Sequence, residues 1–228
     1  MLSGIVREFC AENFTDVPAA IAAGTARIEL CDNLAVGGTT PSAGVIAAAV
    51  EHAHSRGARV MTMIRPRGGD FSYSKAELAI MERDLATACE LGTDGVVFGC
   101  LACGDGGCDL DENALGCLMA AVHDAGRARG SRVDVTFHMA FDALDPKVQL
   151  RTIDRLALAG VTRILTHGGR AGTPIEDNLE RLRELMDYAG DRIVVLPGGG
   201  ITFENAGAVA RALGAHELHG TKIVDLGR

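Results

Sequence analysis

Short apolar, β-branched runs recur at Ile5–Cys10, Arg27–Cys31, Val60–Ile64, Gly95–Gly99, Arg132–Phe137, Arg163–Thr166, Ile193–Pro197 and His216–His219, with starts 22 to 37 residues apart. Between them lie Ala-, Leu-, Glu- and Arg-rich stretches with the i, i+3, i+4 spacing of amphipathic helices. The clearest cover Ser42–Arg56, Ser74–Leu91, Asp111–Arg129, Asp145–Ala159, Glu176–Ala189 and Thr202–Leu213, with a shorter one at Asp16–Ala23. Asp16 and the Asp145-Pro146 pair are start signals, because each precedes a periodic stretch with a capping side chain or a preset φ. Gly24, Gly57, Gly92, Gly130, Gly160, Gly190 and Gly214 stand where C-terminal caps belong.

Eight strands alternating with helices predict a parallel sheet, and eight units close a (β/α)8 TIM barrel. An open doubly wound sheet is the runner-up, and it rarely has such even units. About nine residues follow the eighth run, which predicts that the last helix is truncated or missing. No linker or low-complexity tract interrupts residues 1–228, so they read as one domain.

Composition narrows the function classes. At 47% hydrophobic the chain holds enough apolar mass to exclude disorder. A net charge of −8 argues against a general nucleic-acid or anionic-membrane binder. The longest uncharged run, Leu34–Val50, is broken by Gly37, Gly38, Pro41 and Gly44, so no membrane span is expected. Arg7, Glu8 and Glu12 occupy the stretch where a signal peptide needs an apolar core. Seven cysteines, an odd count in a chain of this size, predict reduced thiols and a cytoplasmic location. Oligomeric state stays open, a homo-oligomer included.

In such barrels the loops after the strand C-termini build the functional face. The residues there are chemically loaded: Cys10 and Glu12 at the first strand, Glu29, Cys31 and Asp32 at the second, Arg65 and Arg67 after the third. His138 and Asp142 follow the fifth, Thr166-His167-Gly168-Gly169 the sixth, Gly198-Gly199-Gly200 the seventh, and His219-Gly220-Thr221-Lys222 the eighth. Arg65, Arg67, Lys222 and the N–H groups of Gly198, Gly199 and Gly200 form a candidate anion site, since the last two loops often hold phosphate. Glu29, His138, Asp142 and His167 are candidate catalytic groups for moving protons next to a carbonyl. A structural polar network at the rim is the alternative for the same residues.

From Arg27 to Ser42 the sequence RIELCDNLAVGGTTPS becomes recognisable. Together with MIRPRGGDFSYS (Met63–Ser74), DGVVFG (Asp94–Gly99), VTFHMAFD (Val135–Asp142), RILTHGG (Arg163–Gly169) and LPGGGITFEN (Leu196–Asn205), it resembles the CutC family of copper homeostasis proteins over nearly the whole chain. The resemblance implies a cytoplasmic (β/α)8 barrel and a Cu(I) site whose metal ligands match Cys10 and Cys31. Thiolates are soft ligands that select Cu(I), and neighbouring strands bring such residues close; buried apolar fillers are the other fate of such thiols. This chain departs from the family pattern at Met139, where an arginine is usual, at His167, and at Gly220 and Thr221. The family's C-terminal extension is also missing.

Other motifs carry less. Cys100, Cys103, Cys108 and Cys117 match no standard zinc or iron–sulfur spacing, and Asp105-Gly106-Gly107 makes a turn. Lys222, past the strand end, is the one lysine near the mouth for a Schiff base. His52, His54 and His123 fall in predicted helices and read as solvated. Two functions remain open: Cu(I) binding in copper homeostasis, or a lyase, isomerase or hydrolase acting on a small anionic carbonyl or sugar compound.

Overall fold

The structure, a computed structural model, describes residues 4–170 and 172–227. Its ten strands are β1 (Val6–Glu12), β2 (Arg27–Cys31), β3 (Arg59–Met63), β4 (Gly95–Phe98), β5 (Leu101–Gly104), β6 (Gly107–Leu110), β7 (Asp134–Phe137), β8 (Arg163–Thr166), β9 (Val194–Pro197) and β10 (Glu217–Gly220). Seven α-helices alternate with them: α1 (Val17–Ala22), α2 (Ala43–His54), α3 (Lys75–Glu90), α4 (Glu112–Arg129), α5 (Pro146–Leu158), α6 (Leu179–Ala189) and α7 (Ala206–Leu213). Eight strands form one parallel sheet in the order β10-β1-β2-β3-β4-β7-β8-β9, and a parallel bridge between Thr202 and Lys222 draws its two edges together. This is the (β/α)8 barrel. Among the described residues no helix follows β10.

Alternation along the strands sorts the two sides of the barrel wall. Phe9, Ile28, Leu30, Val60, Val96, Phe98, Val135, Phe137, Ile164 and Leu218 join the main core under the helices. The intervening positions carry unusual chemistry. Glu8, Arg27, Asp134, Arg163 and Glu217 are buried or partly buried at the N-terminal end of the barrel and link in series. Arg27 bridges Glu8 and Glu217, and Arg163 bridges Glu217 at 2.8 Å and Asp134 at 3.1 Å. Above this plug, Cys10, Cys31, Met61, Met63 and Val97 form a separate sulfur-rich cluster.

Helix ends follow their local chemistry. Ser74 and Glu77 make a reciprocal capping box on α3, and Asp111 and Asp145 accept N–H bonds at the starts of α4 and α5. Gly130 and Gly214 close α4 and α7 in the left-handed region. Three sequence expectations change. The expected strand ending at Cys10 runs on to Glu12, because Ala11 and Glu12 pair with Leu30 and Cys31. The helix expected from Thr202 begins at Ala206, since Asn205 accepts from the Thr202 N–H and donates to the Gly200 carbonyl, holding this segment as a turn. The loop after β4 contains an antiparallel hairpin, β5–β6, absent from the expected strands.

That hairpin also corrects the expectation of seven reduced thiols. Cys103 and Cys108 stand directly opposite one another across the turn at Asp105-Gly106 and form a disulfide. Cross-strand partners in an antiparallel ladder bring their Cβ atoms close enough for this. The other five cysteines are free, with Cys117 exposed and the rest buried. No helix among the described residues is long and apolar enough to cross a membrane.

Candidate metal centre and barrel mouth

The register between β1 and β2 sets Cys10 beside Glu29 and Glu12 beside Cys31, and the register between β1 and β10 sets Glu8 beside His219. Closure of the barrel therefore gathers residues from the two ends of the chain. Ligand atoms of Cys10, Glu29 and His219 lie within 4.8 Å of one another, all three side chains buried. The Cys31 thiol adds a fourth group, 3.7 Å from Glu29 Oε2.

Electrostatics divides these groups into charged and neutral. A hydrogen bond from Cys31, aided by His219, holds the Cys10 thiol well below the usual range although burial opposes it. Cys31, the donor in that bond and itself buried, is pushed well above it. Burial pushes the Glu29 carboxyl well above the carboxylate range, with the negative Cys10 and Glu8 adding to it. Burial acts against a charged imidazole at His219, yet Glu29, Cys10 and Glu8 together raise it well above its ordinary value. Glu8 stays ionised, down to about 2, because Arg27 and His219 outweigh its burial. Proton retention is thus favoured at Glu29, Cys31 and His219 and proton loss at Cys10, the groups acting on one another across the centre. His219 Nδ1 is 2.8 Å from Glu8 Oε1 and donates to it, which leaves Nε2 facing Glu29 and Cys10.

The remaining candidate catalytic residues are not brought to this centre. Asp142 and His167 share a setting after β7 and β8. There Asp142 accepts the His167 N–H at 2.9 Å and the Thr166 hydroxyl. His167 has both ring nitrogens engaged, Nδ1 with the Gly198 carbonyl at 3.2 Å and Nε2 with the Asn178 amide at 2.8 Å. His138 is separate again, packed against Phe71 with a 5.0 Å centroid distance, its Nδ1 accepting the Ala140 N–H and its Nε2 without a partner. The four candidates occupy three different environments.

The candidate anion residues divide as well. Arg65 is buried and donates to the carbonyls of Val36, Gly38 and Gly69, so its guanidinium clamps two loops together. Arg67 pairs with Glu77 and Asp70 and donates to the Ser72 carbonyl. Gly198 lies against Leu165 and His219, with its N–H on the Thr166 carbonyl. Gly199, Gly200 and Lys222, by contrast, share a cleft of about 440 Å³ with Met139, His219 and Gly220. The sequence placed His219 at the mouth without a role, and did not single out Glu8 or the two methionines as site residues. The signal available was two-residue alternation, which puts Glu8 on the face of Cys10 and Met61 on the face of Met63.

Fold and site together define the class: a (β/α)8 barrel whose mouth holds a buried thiol–imidazole centre. The CutC family profile matches residues 5–224. The chain is 56% identical over 220 residues to family protein CutC of Enterococcus faecalis, covering 96% of this chain and 100% of that one. It is 38% identical to the human copper homeostasis protein cutC homolog, covering 95% and 73%. A crystal structure of CutC from Streptococcus agalactiae superposes with a TM-score of 0.88 at 44% identity, covering 96% and 100%. This chain belongs to the CutC family.

Proposed function

We propose that the chain serves copper homeostasis in the cytoplasm by binding Cu(I) as its cargo, with Cys10 and Cys31 as thiolate ligands and His219 Nε2 as a third donor. The observation that carries this reading is the convergence of two free cysteines and an imidazole in one buried, sulfur-rich cluster. Two sulfurs and a nitrogen are a soft donor set of the kind that favours Cu(I) over hard cations. Glu8 strengthens the case, because a carboxylate holding Nδ1–H fixes the tautomer that offers Nε2 to a metal. Cys31 and His219 Nε2 would each release a proton on binding, so affinity rises with pH. Names of relatives that refer to copper homeostasis agree with this reading.

The test is anaerobic competition between the apo chain and a chromogenic Cu(I) chelator. The wild type is expected to take one equivalent, the Cys10→Ser/Cys31→Ser variant to lose it, and His219→Gln to bind more weakly. Unchanged affinity in the double-serine variant overturns the proposal. The enzyme reading has no equivalent support, because its proton-moving residues do not share a pocket.

A further inference from the structure

The cleft between the loops after β9 and β10 has a polarity that copper does not explain. Gly199 and Gly200 both adopt the left-handed region, with φ of 82° and 75°. Two carbonyls beside them are occupied: Gly198 faces His167 Nδ1 at 3.2 Å, and Gly200 accepts from Asn205 at 3.0 Å. Their N–H groups, by contrast, have no partner among the described residues. Two of the acceptors are thus engaged while these donors are left free. Lys222 is exposed on the same cleft, and its ammonium also lacks a partner among the described residues. No aspartate or glutamate is among the residues lining the cleft.

Glycine is required here by space as well as by backbone conformation. A Cβ on Gly199 would lie 2.7 Å from His167 Nδ1. Free N–H groups and one lysine suit an oxyanion, with the backbone donating directional bonds and the ammonium acting as a point charge. The loops after the seventh and eighth barrel strands are also the usual place for a phosphoryl group in this architecture. The volume of about 440 Å³ exceeds what a bare anion needs and leaves room for a small organic remainder.

We propose that this cleft is a phosphate site, taking inorganic phosphate or the phosphoryl end of a small phosphomonoester through the Gly199 and Gly200 N–H groups and Lys222. None of these three donors belongs to the proposed copper centre, although His219 lines both, so the test is made on apo protein with a Cu(I) chelator present. The 15N-labelled chain is titrated at constant ionic strength with inorganic phosphate and, separately, with glycerol phosphate. Saturable shifts of the Gly199 and Gly200 amides are expected, with the tighter titrant naming the source of the phosphoryl group. Lys222→Ala is expected to weaken binding roughly tenfold or more, and Lys222→Arg to retain most of it. Equal affinity in wild type and Lys222→Ala, or no saturable shift with either titrant, overturns the proposal.

Discussion

Acid should destabilise this protein through His138, and the effect can be separated from simple loss of packing. The Ala140 N–H donates to His138 Nδ1, which places the ring proton on Nε2. Charging the ring requires a second proton at Nδ1, and that would break the bond that starts the turn at Met139–Ala143. Burial, reinforced by the nearby Arg65 guanidinium, lowers His138 from 6.5 to about 3. The sign follows directly: the unfolded chain takes up this proton below about 6.5 and the folded chain refuses it until about 3, so the stability is full above that window and lost within it. At about pH 5 the loss is about 2 kcal/mol, each decade of proton activity being worth about 1.4 kcal/mol. His138→Asn keeps an acceptor for the Ala140 N–H and removes the titration. Its ring packing on Phe71 and Phe137 is lost at every pH alike. Urea unfolding at neutral pH and at about pH 5 should show the gap between wild type and variant narrowing by about 2 kcal/mol in acid. A gap that stays constant across that interval refutes the buried, neutral histidine.

Three further outcomes follow from the same coordinates. Arg27→Met removes the guanidinium shared by buried Glu8 and partly buried Glu217, leaving them only His219 and Arg163, and should cost about 3–5 kcal/mol in urea unfolding, part of it recovered by adding Glu8→Gln. Gly220→Ala would set a Cβ 2.3 Å from the Ile201 carbonyl oxygen and should lose about 1–3 kcal/mol, whereas Gly116→Ala, on the open face of α4, should gain about 0.5–1 kcal/mol in the same thermal scans. Ser74→Ala removes half of the α3 capping box and should cost about 1 kcal/mol.

Strand period, helix period and closing glycines were enough to read the barrel, because those signals are local. Arg163–Thr166 and Arg27–Cys31 coincide with the observed strands. The hairpin after β4 was not legible, since LACG and GCDL are four residues each, contain glycine and lack β-branched residues, and only their mutual pairing makes them strands. Part of the candidate metal centre was visible for the same local reason: Cys10 and Cys31 stand near the ends of adjacent strands. His219 belongs to it through a register that joins residues 211 apart, as its bond to Glu8 shows, and no pattern within either strand specifies that register. The arginines show the converse. Arg65 and Arg67 read as free cations because sequence shows a charge but not the carbonyls and carboxylates that surround it. A cation in a barrel loop rich in glycine is as well placed to hold its own backbone as to hold a ligand. At Arg65 the carbonyls of Val36, Gly38 and Gly69 take that role. At Lys222, on the other side of the mouth, the ammonium has no partner among the described residues. That contrast between two cations, rather than the count of them, is what supports the proposed anion site at the loops after β9 and β10.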